Sequence, residues 1–182
     1  MARRAVFLDR DGVLTRALVR GGKPYAPRRL RDFRLLPGAR ATVGRLKAAG
    51  LAAIVVTNQP DIGNGFVARS AVERMHERLG ANLPLDDIRV CPHRQRAGCA
   101  CRKPKPGLLI EAARQHKICL AQSFLVGDRA SDVLAGAAAG CYTVFIDRGY
   151  PETKRANFHP DAVARSLPGA MRLILSRLGR PT

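Results

Sequence analysis

Short apolar runs alternate with helix-like stretches along most of this chain, and that alternation narrows the folds open to it. Strand-like runs stand at Arg4–Leu8, Leu51–Thr57, Ile88–Cys91, Phe124–Val126 and Thr143–Ile146. Helical patterns fill the gaps at Ala39–Ala49, Arg69–Gly80, Gly107–Lys117 and Ser131–Gly140, and an amphipathic stretch follows at Leu167–Leu178. Gly50 and Gly140 sit where a glycine closes a helix in the left-handed conformation. The pattern predicts an α/β fold: a doubly wound, Rossmann-like parallel sheet with helices on both faces. Ligands of such sheets bind beyond the carboxyl ends of the strands. With 182 residues the chain suits one domain over 1–182 with a real core. Thr15–Leu36, rich in Arg, Gly and Pro, and 147–160 are the least regular segments.

The strand ends carry the chemistry. Ala5-Val-Phe-Leu8 runs into Asp9-Arg10-Asp11-Gly12-Val13. Residues i and i+2 of an extended chain point to one side, so Asp9 and Asp11 are set to face a shared space. Two carboxylates that close call for a cation, and a hard ion such as Mg²⁺ takes oxygen ligands. Alone, the same residues also read as a strand ending in an Asp-Gly turn. The second run ends in Thr57-Asn58-Gln59-Pro60, where a hydroxyl and a backbone N–H can meet an oxyanion. Arg102-Lys103-Pro104-Lys105-Pro106-Gly107 precedes a helix and can bring a cation to the same place; Pro106 suits a first helical turn. Phe124-Leu-Val-Gly-Asp128 ends in another acid, with Asp132 four residues on. A cap, a basic loop or an acidic helix start explains each alone; the four in this order are much harder to explain separately.

These four segments resemble the motifs of the haloacid dehalogenase superfamily, over residues 5 to 147. Phe-Leu-Asp-Arg-Asp-Gly, Val-Thr-Asn-Gln and Arg-Lys-Pro-Lys-Pro-Gly are most similar to its histidinol-phosphatase-like branch, which includes the heptose bisphosphate phosphatases. The resemblance implies a Mg²⁺-dependent phosphomonoesterase acting on a small anionic sugar phosphate in surface-polysaccharide precursor synthesis. Asp9 is then the nucleophile, Asp11 a protonated acid and later base, and Thr57 and Lys103 the stabilisers of phosphoryl oxygens. Mg²⁺ is expected on the Asp9 carboxylate, the Asp11 carbonyl and the Asp128 carboxylate. Asp132 is expected to orient Lys103 or a metal-bound water. Arg10, Asn58, Gln59, Arg102 and Arg129 are expected to bind substrate, the last two through a second anionic group. Lys105 is the alternative to Lys103. Two departures from the branch stand out: Pro60-Asp61-Ile62-Gly63-Asn64-Gly65 replaces a segment that usually reads Ser-Gly-Ile-Ala-Arg-Gly, and the early loop holds Arg-Gly-Gly-Lys-Pro-Tyr.

Between the second and third motifs lies Cys91-Pro-His93, five residues, then Cys99-Ala-Cys101. Three thiols and an imidazole in that span match a four-coordinate Zn²⁺ site. Cys119 and Cys141 sit in apolar surroundings and read as core; His76, His116 and His159 are isolated. Free thiols in a metal pattern, an odd cysteine count, no signal-peptide core and no run of membrane-spanning length argue for a cytoplasmic protein without membrane association. A monomer is expected. No large insertion separates Val13 from Ala39 or Thr57 from Ile88, so there is no room for a cap domain. The loops 17–27, 60–67 and the zinc loop are left to choose the substrate.

Charge is the unusual property. Thirty-two basic against 14 acidic residues give +18, with clusters at 16–34, 94–105 and 148–155. A positive mouth draws anionic substrates, and the same charge suits a polynucleotide 3′-phosphatase or a zinc-containing nucleic-acid-binding module. Few aromatics, no Lys/Arg run of five or more and no nucleic-acid motif argue against specific nucleic-acid binding. Histidinol phosphate remains the alternative substrate within the enzyme class.

Overall fold

Every apolar run becomes a strand in the computed structural model, which describes residues 3–179. Met1, Ala2 and 180–182, included in the one-domain expectation, lie outside the described residues. In chain order the elements are β1 (Ala5–Leu8), β2 (Leu18–Arg20), β3 (Lys23–Tyr25), α1 (Ala39–Ala48), β4 (Ala52–Asn58), α2 (Pro60–Gly63), α3 (Arg69–Asn82), β5 (Asp87–Cys91), α4 (Gly107–His116), β6 (Phe124–Gly127), α5 (Ala130–Ala138), β7 (Tyr142–Ile146), α6 (Pro151–Arg155), β8 (Ala162–Ala164) and α7 (Leu167–Leu178).

Six strands form one parallel sheet in the order β5-β4-β1-β6-β7-β8. Side-chain alternation divides the strands between two cores. Val6 and Leu8, with Ala53, Val55, Phe124 and Val126, pack on α1, α3 and α7 through Val43, Leu46, Met75, Leu79, Met171 and Ile174. Ala5 and Phe7, with Ile54, Val56 and Leu125, pack on α4 and α5 through Leu108, Leu109, Ala112 and Ala135. The helices therefore cover both faces, as the strand–helix alternation predicts. From β1 the chain winds to β4 and β5 on one side, then returns to β6 and winds the other way. The crevice at that reversal is where Asp9 and Asp128 leave their strands.

The segment read as irregular contains a small antiparallel hairpin of β2 and β3. Gly21 and Gly22 form its turn with φ of 54° and 74°, as a two-residue hairpin loop requires. Three-residue strands show too little alternation to be read; Gly-Gly was the signal. A 3₁₀ turn at Leu30–Asp32 follows. β8 and the short helices α2 and α6 were also missed. Among the described residues no helix is long and apolar enough to cross a membrane.

Candidate active site

A cavity of about 480 Å³ opens at the sheet reversal. Its floor holds Asp9, Asp11, Thr57, Lys103 and Asp132; its walls hold Pro24 and Tyr25 of the hairpin, Pro60 and Asp61 of α2, and Gln95 and Arg102 of the cysteine-rich loop. The three loops assigned to substrate choice thus all reach the mouth, and among the described residues no cap domain covers it.

Lys103 organises the floor. Its Nζ lies 2.7 Å from Asp9 Oδ1, 2.6 Å from Asp132 Oδ1, and donates to the Val56 carbonyl at 2.7 Å. Burial alone would discharge this lysine; Asp132 and Asp9 outweigh it and hold its ammonium above the usual lysine range. Burial pushes Asp9 up to about 6 against the pull of Lys103, with Asp132 and Asp11 adding to the rise. Lys105 donates to the Gly98 carbonyl at 2.8 Å and is absent from the cavity wall, whereas Lys103 stands on the cavity floor. Asp132 orients Lys103, one of the two tasks expected of it, and its other oxygen caps α5 by accepting from the Arg129 N–H at 3.0 Å.

Asp128 is wholly buried and neither carboxylate oxygen has a partner in good hydrogen-bond geometry, although the Tyr150 hydroxyl faces it, its pKa raised by burial and then by this carboxylate. Burial, then Asp9 and Asp132 beside it, raise its pKa well above the carboxylate range. Carboxylate oxygens of Asp9, Asp128 and Asp132 lie within 4.8 Å of one another. Unpartnered buried oxygens beside two more acids fit a hard cation. Gly12 makes this approach possible: with φ of 91°, a Cβ there would stand 1.8 Å from Asp128 Oδ2. Any side chain in place of Gly12 would displace the carboxylate.

Asp11 accepts on both oxygens. Arg10 Nε reaches them at 3.1 and 3.1 Å and Arg10 Nη2 donates at 2.8 Å; Thr15 Oγ1 and Gln59 Nε2 donate at 3.0 and 2.9 Å. To carry a proton of its own, as the sequence reading required, Asp11 must release part of this set. Arg10 is 0% exposed and is not on the cavity wall, so its expected role in substrate binding does not fit: its charge is spent on Asp11. Gln59 is likewise buried, bridging Asp11 and Thr57 Oγ1. Because Thr57 Oγ1 accepts from Gln59, its own proton is free for an oxyanion. Asn58 borders the cavity but clamps the Lys103 backbone, donating to its carbonyl at 3.1 Å and accepting from its N–H at 3.2 Å. One residue was missed. His76 Nε2 accepts from Arg10 Nη1 at 2.8 Å, and burial, then Arg10, push His76 down to about 4. Its helical spacing on α3 gave no sign of this.

The two rim arginines differ. Arg102 Nη1 is buried without a partner, on the cavity wall. Arg129, expected to serve beside it, donates to the Pro24 carbonyl and lies 3.5 Å from Glu152, so it ties the hairpin to α6. Asp61, one of the departures from the resembling family, is matched by Arg28 at 2.6 Å, whose guanidinium covers the Phe66 ring at 4.6 Å.

The four expected zinc ligands come together. Cys91 Sγ lies 3.6 Å from His93 Nδ1 and 3.6 Å from Cys99 Sγ; Cys101 Sγ lies 3.2 Å from His93 Nδ1 and 3.5 Å from Cys99 Sγ. A tetrahedron with metal–sulfur bonds of about 2.3 Å has edges of roughly 3.6–3.8 Å, so the cluster fits Zn²⁺ after small adjustments. The loop leads directly into Arg102 and Lys103, and it is pinned to α2 by Gly63 N–H donating to Pro92 O and Arg94 donating to Gly63 O. Cys99→Ser is expected to lower bound zinc from about one per chain and to reduce turnover by about tenfold or more, in line with loss of a metal ligand. Metal analysis and rates on the same preparation check this; a variant that loses its zinc and keeps its rate would separate the loop from the site.

Residues 100–170 match the HAD-hydrolase-like family model. The D-glycero-beta-D-manno-heptose-1,7-bisphosphate 7-phosphatase of Helicobacter pylori is 37% identical over 142 residues, covering 75% of this chain and 79% of that protein. The D-glycero-alpha-D-manno-heptose-1,7-bisphosphate 7-phosphatase of Mycobacterium bovis is 38% identical over 152 residues, 78% of each chain. The crystal structure of D,D-heptose 1,7-bisphosphate phosphatase from B. bronchiseptica, complexed with magnesium and phosphate, aligns with a TM-score of 0.84 at 27% identity, covering 96% of this chain and 99% of that one. With the four motifs gathered at the sheet reversal and relatives matched over most of its length, the chain belongs to the HAD-like hydrolases, as a phosphatase of the family that holds these heptose bisphosphate phosphatases.

Proposed function

We propose that this protein is a Mg²⁺-dependent phosphomonoesterase that works through an aspartyl-phosphate and removes the 7-phosphate of a D-glycero-D-manno-heptose 1,7-bisphosphate. The observation that carries the reading is the floor of the cavity: Asp9 tethered to Lys103 at 2.7 Å, beside an Asp128 whose buried oxygens lack partners. The relatives' shared name supplies the sugar. Mg²⁺ held by Asp9, Asp128 and the Asp11 carbonyl supplies positive charge to the phosphoryl oxygens when bound. An Asp9 oxygen attacks phosphorus as the bond to the C7 oxygen breaks, and Asp11 gives that oxygen a proton. Water then attacks the aspartyl-phosphate, giving its proton to Asp11 and freeing Asp9 and inorganic phosphate. Lys103 and the Thr57 hydroxyl offset charge on the oxygens that do not react. Asp132 holds Lys103 in place throughout. Zn²⁺ on Cys91, His93, Cys99 and Cys101 fixes the loop that carries Arg102 and Lys103.

Arg102, with a buried Nη1 free of partners, is the group for the remote phosphate. Arg102→Ala is expected to cost a bisphosphate at least about tenfold in kcat/KM, the scale of one charge-assisted hydrogen bond, and a monophosphate far less. A phosphate-release screen with Mg²⁺ against both heptose bisphosphate anomers, histidinol phosphate and a 3′-phosphorylated oligonucleotide tests the whole reading. The bisphosphates should lead. Preference for the oligonucleotide, with affinity falling by about 10³ over a few-fold rise in salt, would replace the sugar by a nucleic acid.

A further inference from the structure

We infer that His76 is a positioning residue for the acid–base carboxylate: acting through Arg10, it fixes where Asp11 stands at the cavity. The inference rests on the proposed role of Asp11 in protonating the leaving oxygen. Arg10 heads the fully buried side chains by size. A guanidinium is costly to withdraw from water unless its N–H groups and its charge are all matched. Here the matching is divided between two edges. The Nε/Nη2 edge grips Asp11, with contacts of 3.1, 3.1 and 2.8 Å. The Nη1 edge donates to His76 Nε2 at 2.8 Å. The guanidinium carbon lies over the Phe33 ring, 5.4 Å from its centroid.

Arginine has no acceptor, so His76 Nε2 must carry a lone pair and the imidazole is neutral, with its proton on Nδ1. His76 comes from α3, which is anchored in the core by Val72, Met75 and Leu79. Phe33 comes from the segment after the 3₁₀ turn. The guanidinium is therefore flanked by one ring, and its far edge is held by an acceptor. Neither restraint belongs to the strand end that carries Asp11. A carboxylate held by Arg10 alone would follow any swing of the guanidinium; with His76 in place the guanidinium has one seat. Proton transfer needs hydrogen-bond reach in both halves of the reaction, so the seat matters to rate. It has little bearing on the initial binding of phosphate, which falls to Lys103, Thr57 and the metal.

A histidine that only satisfied a buried donor would affect stability and leave the rates alone. The full-length, zinc-containing protein with Mg²⁺ separates the two, using wild type, His76→Phe, His76→Asn, His76→Gln and Asp11→Asn. Two substrates are needed: the heptose bisphosphate, whose alkoxide needs a proton to leave, and p-nitrophenyl phosphate, whose phenolate does not. His76→Phe removes the acceptor and His76→Asn draws it back, so one soluble variant of the two suffices. Each is expected to lower kcat on the sugar phosphate by about tenfold, part of the range of general acid catalysis, with KM within about twofold. The first-turnover burst of p-nitrophenolate should stay at the wild-type rate. His76→Gln, whose Oε1 can stand in for Nε2, should restore kcat to within about threefold of wild type, against the same acid-catalysis range. Wild-type kcat in the Phe or Asn variant, an equal loss in the burst, or a Gln variant no better than Phe would overturn the inference. If those results come with an inactive Asp11→Asn, only the inference falls. If Asp11→Asn itself keeps its kcat, the acid assignment falls and takes the inference with it.

Discussion

Asp9→Asn is expected to lower turnover of phosphomonoesters by about 10³ or more, the scale of losing the nucleophile of a covalent pathway. The fold should hardly notice. Asp9 is one of three acids gathered in a buried cluster, and burial already pushes it up to about 6. An amide there relieves repulsion with Asp128 and Asp132, and its Oδ1 can still accept from Lys103 Nζ. Lys103 also keeps Asp132 at 2.6 Å and the Val56 carbonyl at 2.7 Å. Denaturant unfolding should thus shift by no more than about 1 kcal/mol, the net worth of one exchanged hydrogen bond. Acid quenching of wild type during turnover should trap phosphate on the chain, and none on the variant. A variant with more than a tenth of wild-type rate would remove Asp9 from the nucleophile's role.

How much of this was written in the sequence depends on length and period. Strands β1, β4, β6 and β7 lie within a residue or two of their expected bounds because buried parallel strands are continuous apolar runs, hard to mistake. Leu167–Leu178 matches residue for residue, since Ser166 caps it, Pro168 sits in its first turn and its apolar period is clear. The β2–β3 hairpin escaped because three residues show no period. The motif residues stood out because Asp9 and Asp128 follow directly on a strand, Thr57 lies at the end of one, and Lys103 stands in the loop that leads into a helix. A neighbour of a motif residue does not have to share its task. Arg10 follows Asp9 by one position, and an odd neighbour on a strand end points to the opposite side, here against Asp11, Phe33 and His76. Gln59, two positions after Thr57, stays on the same side as Thr57 but is buried against Thr57 and Asp11. His76 lies 66 positions from Arg10, and a pairing of that kind is set by how α3 packs rather than by any local pattern.

Lys103→Met is expected to damage both rate and stability, which distinguishes it from Asp9→Asn. The lysine is 3% exposed and is the cation that lies between Asp9 and Asp132. Methionine fills much the same space and leaves Asp9, Asp128 and Asp132 buried without it. Removing one partner of a buried ion pair costs about 3–5 kcal/mol, because the charge left behind is uncompensated. The sign of the pH dependence follows from Asp9. Its folded pKa, about 6, lies above the ordinary 3.8 even with Lys103 present, and Asp128 is raised as well. An acid raised in the folded state contributes stability that is complete below its unfolded pKa and is lost as pH rises through its folded value. Without Lys103 to pull it down, Asp9 rises further, so the variant's deficit should be small near pH 4 and widest above about 6. Mg²⁺ should recover much of it, since a bound cation compensates the same acids, and ligand binding to the folded state alone stabilises by mass action. Turnover should stay low with Mg²⁺ present, by about 10²–10³, because a charge aimed at the phosphoryl oxygens is still missing. Unfolding curves in Mg²⁺-free buffer across this pH range, without a chelator that would also strip zinc, give the test. A variant as stable as wild type at neutral pH without Mg²⁺ would mean that the three acids are not held together by this lysine.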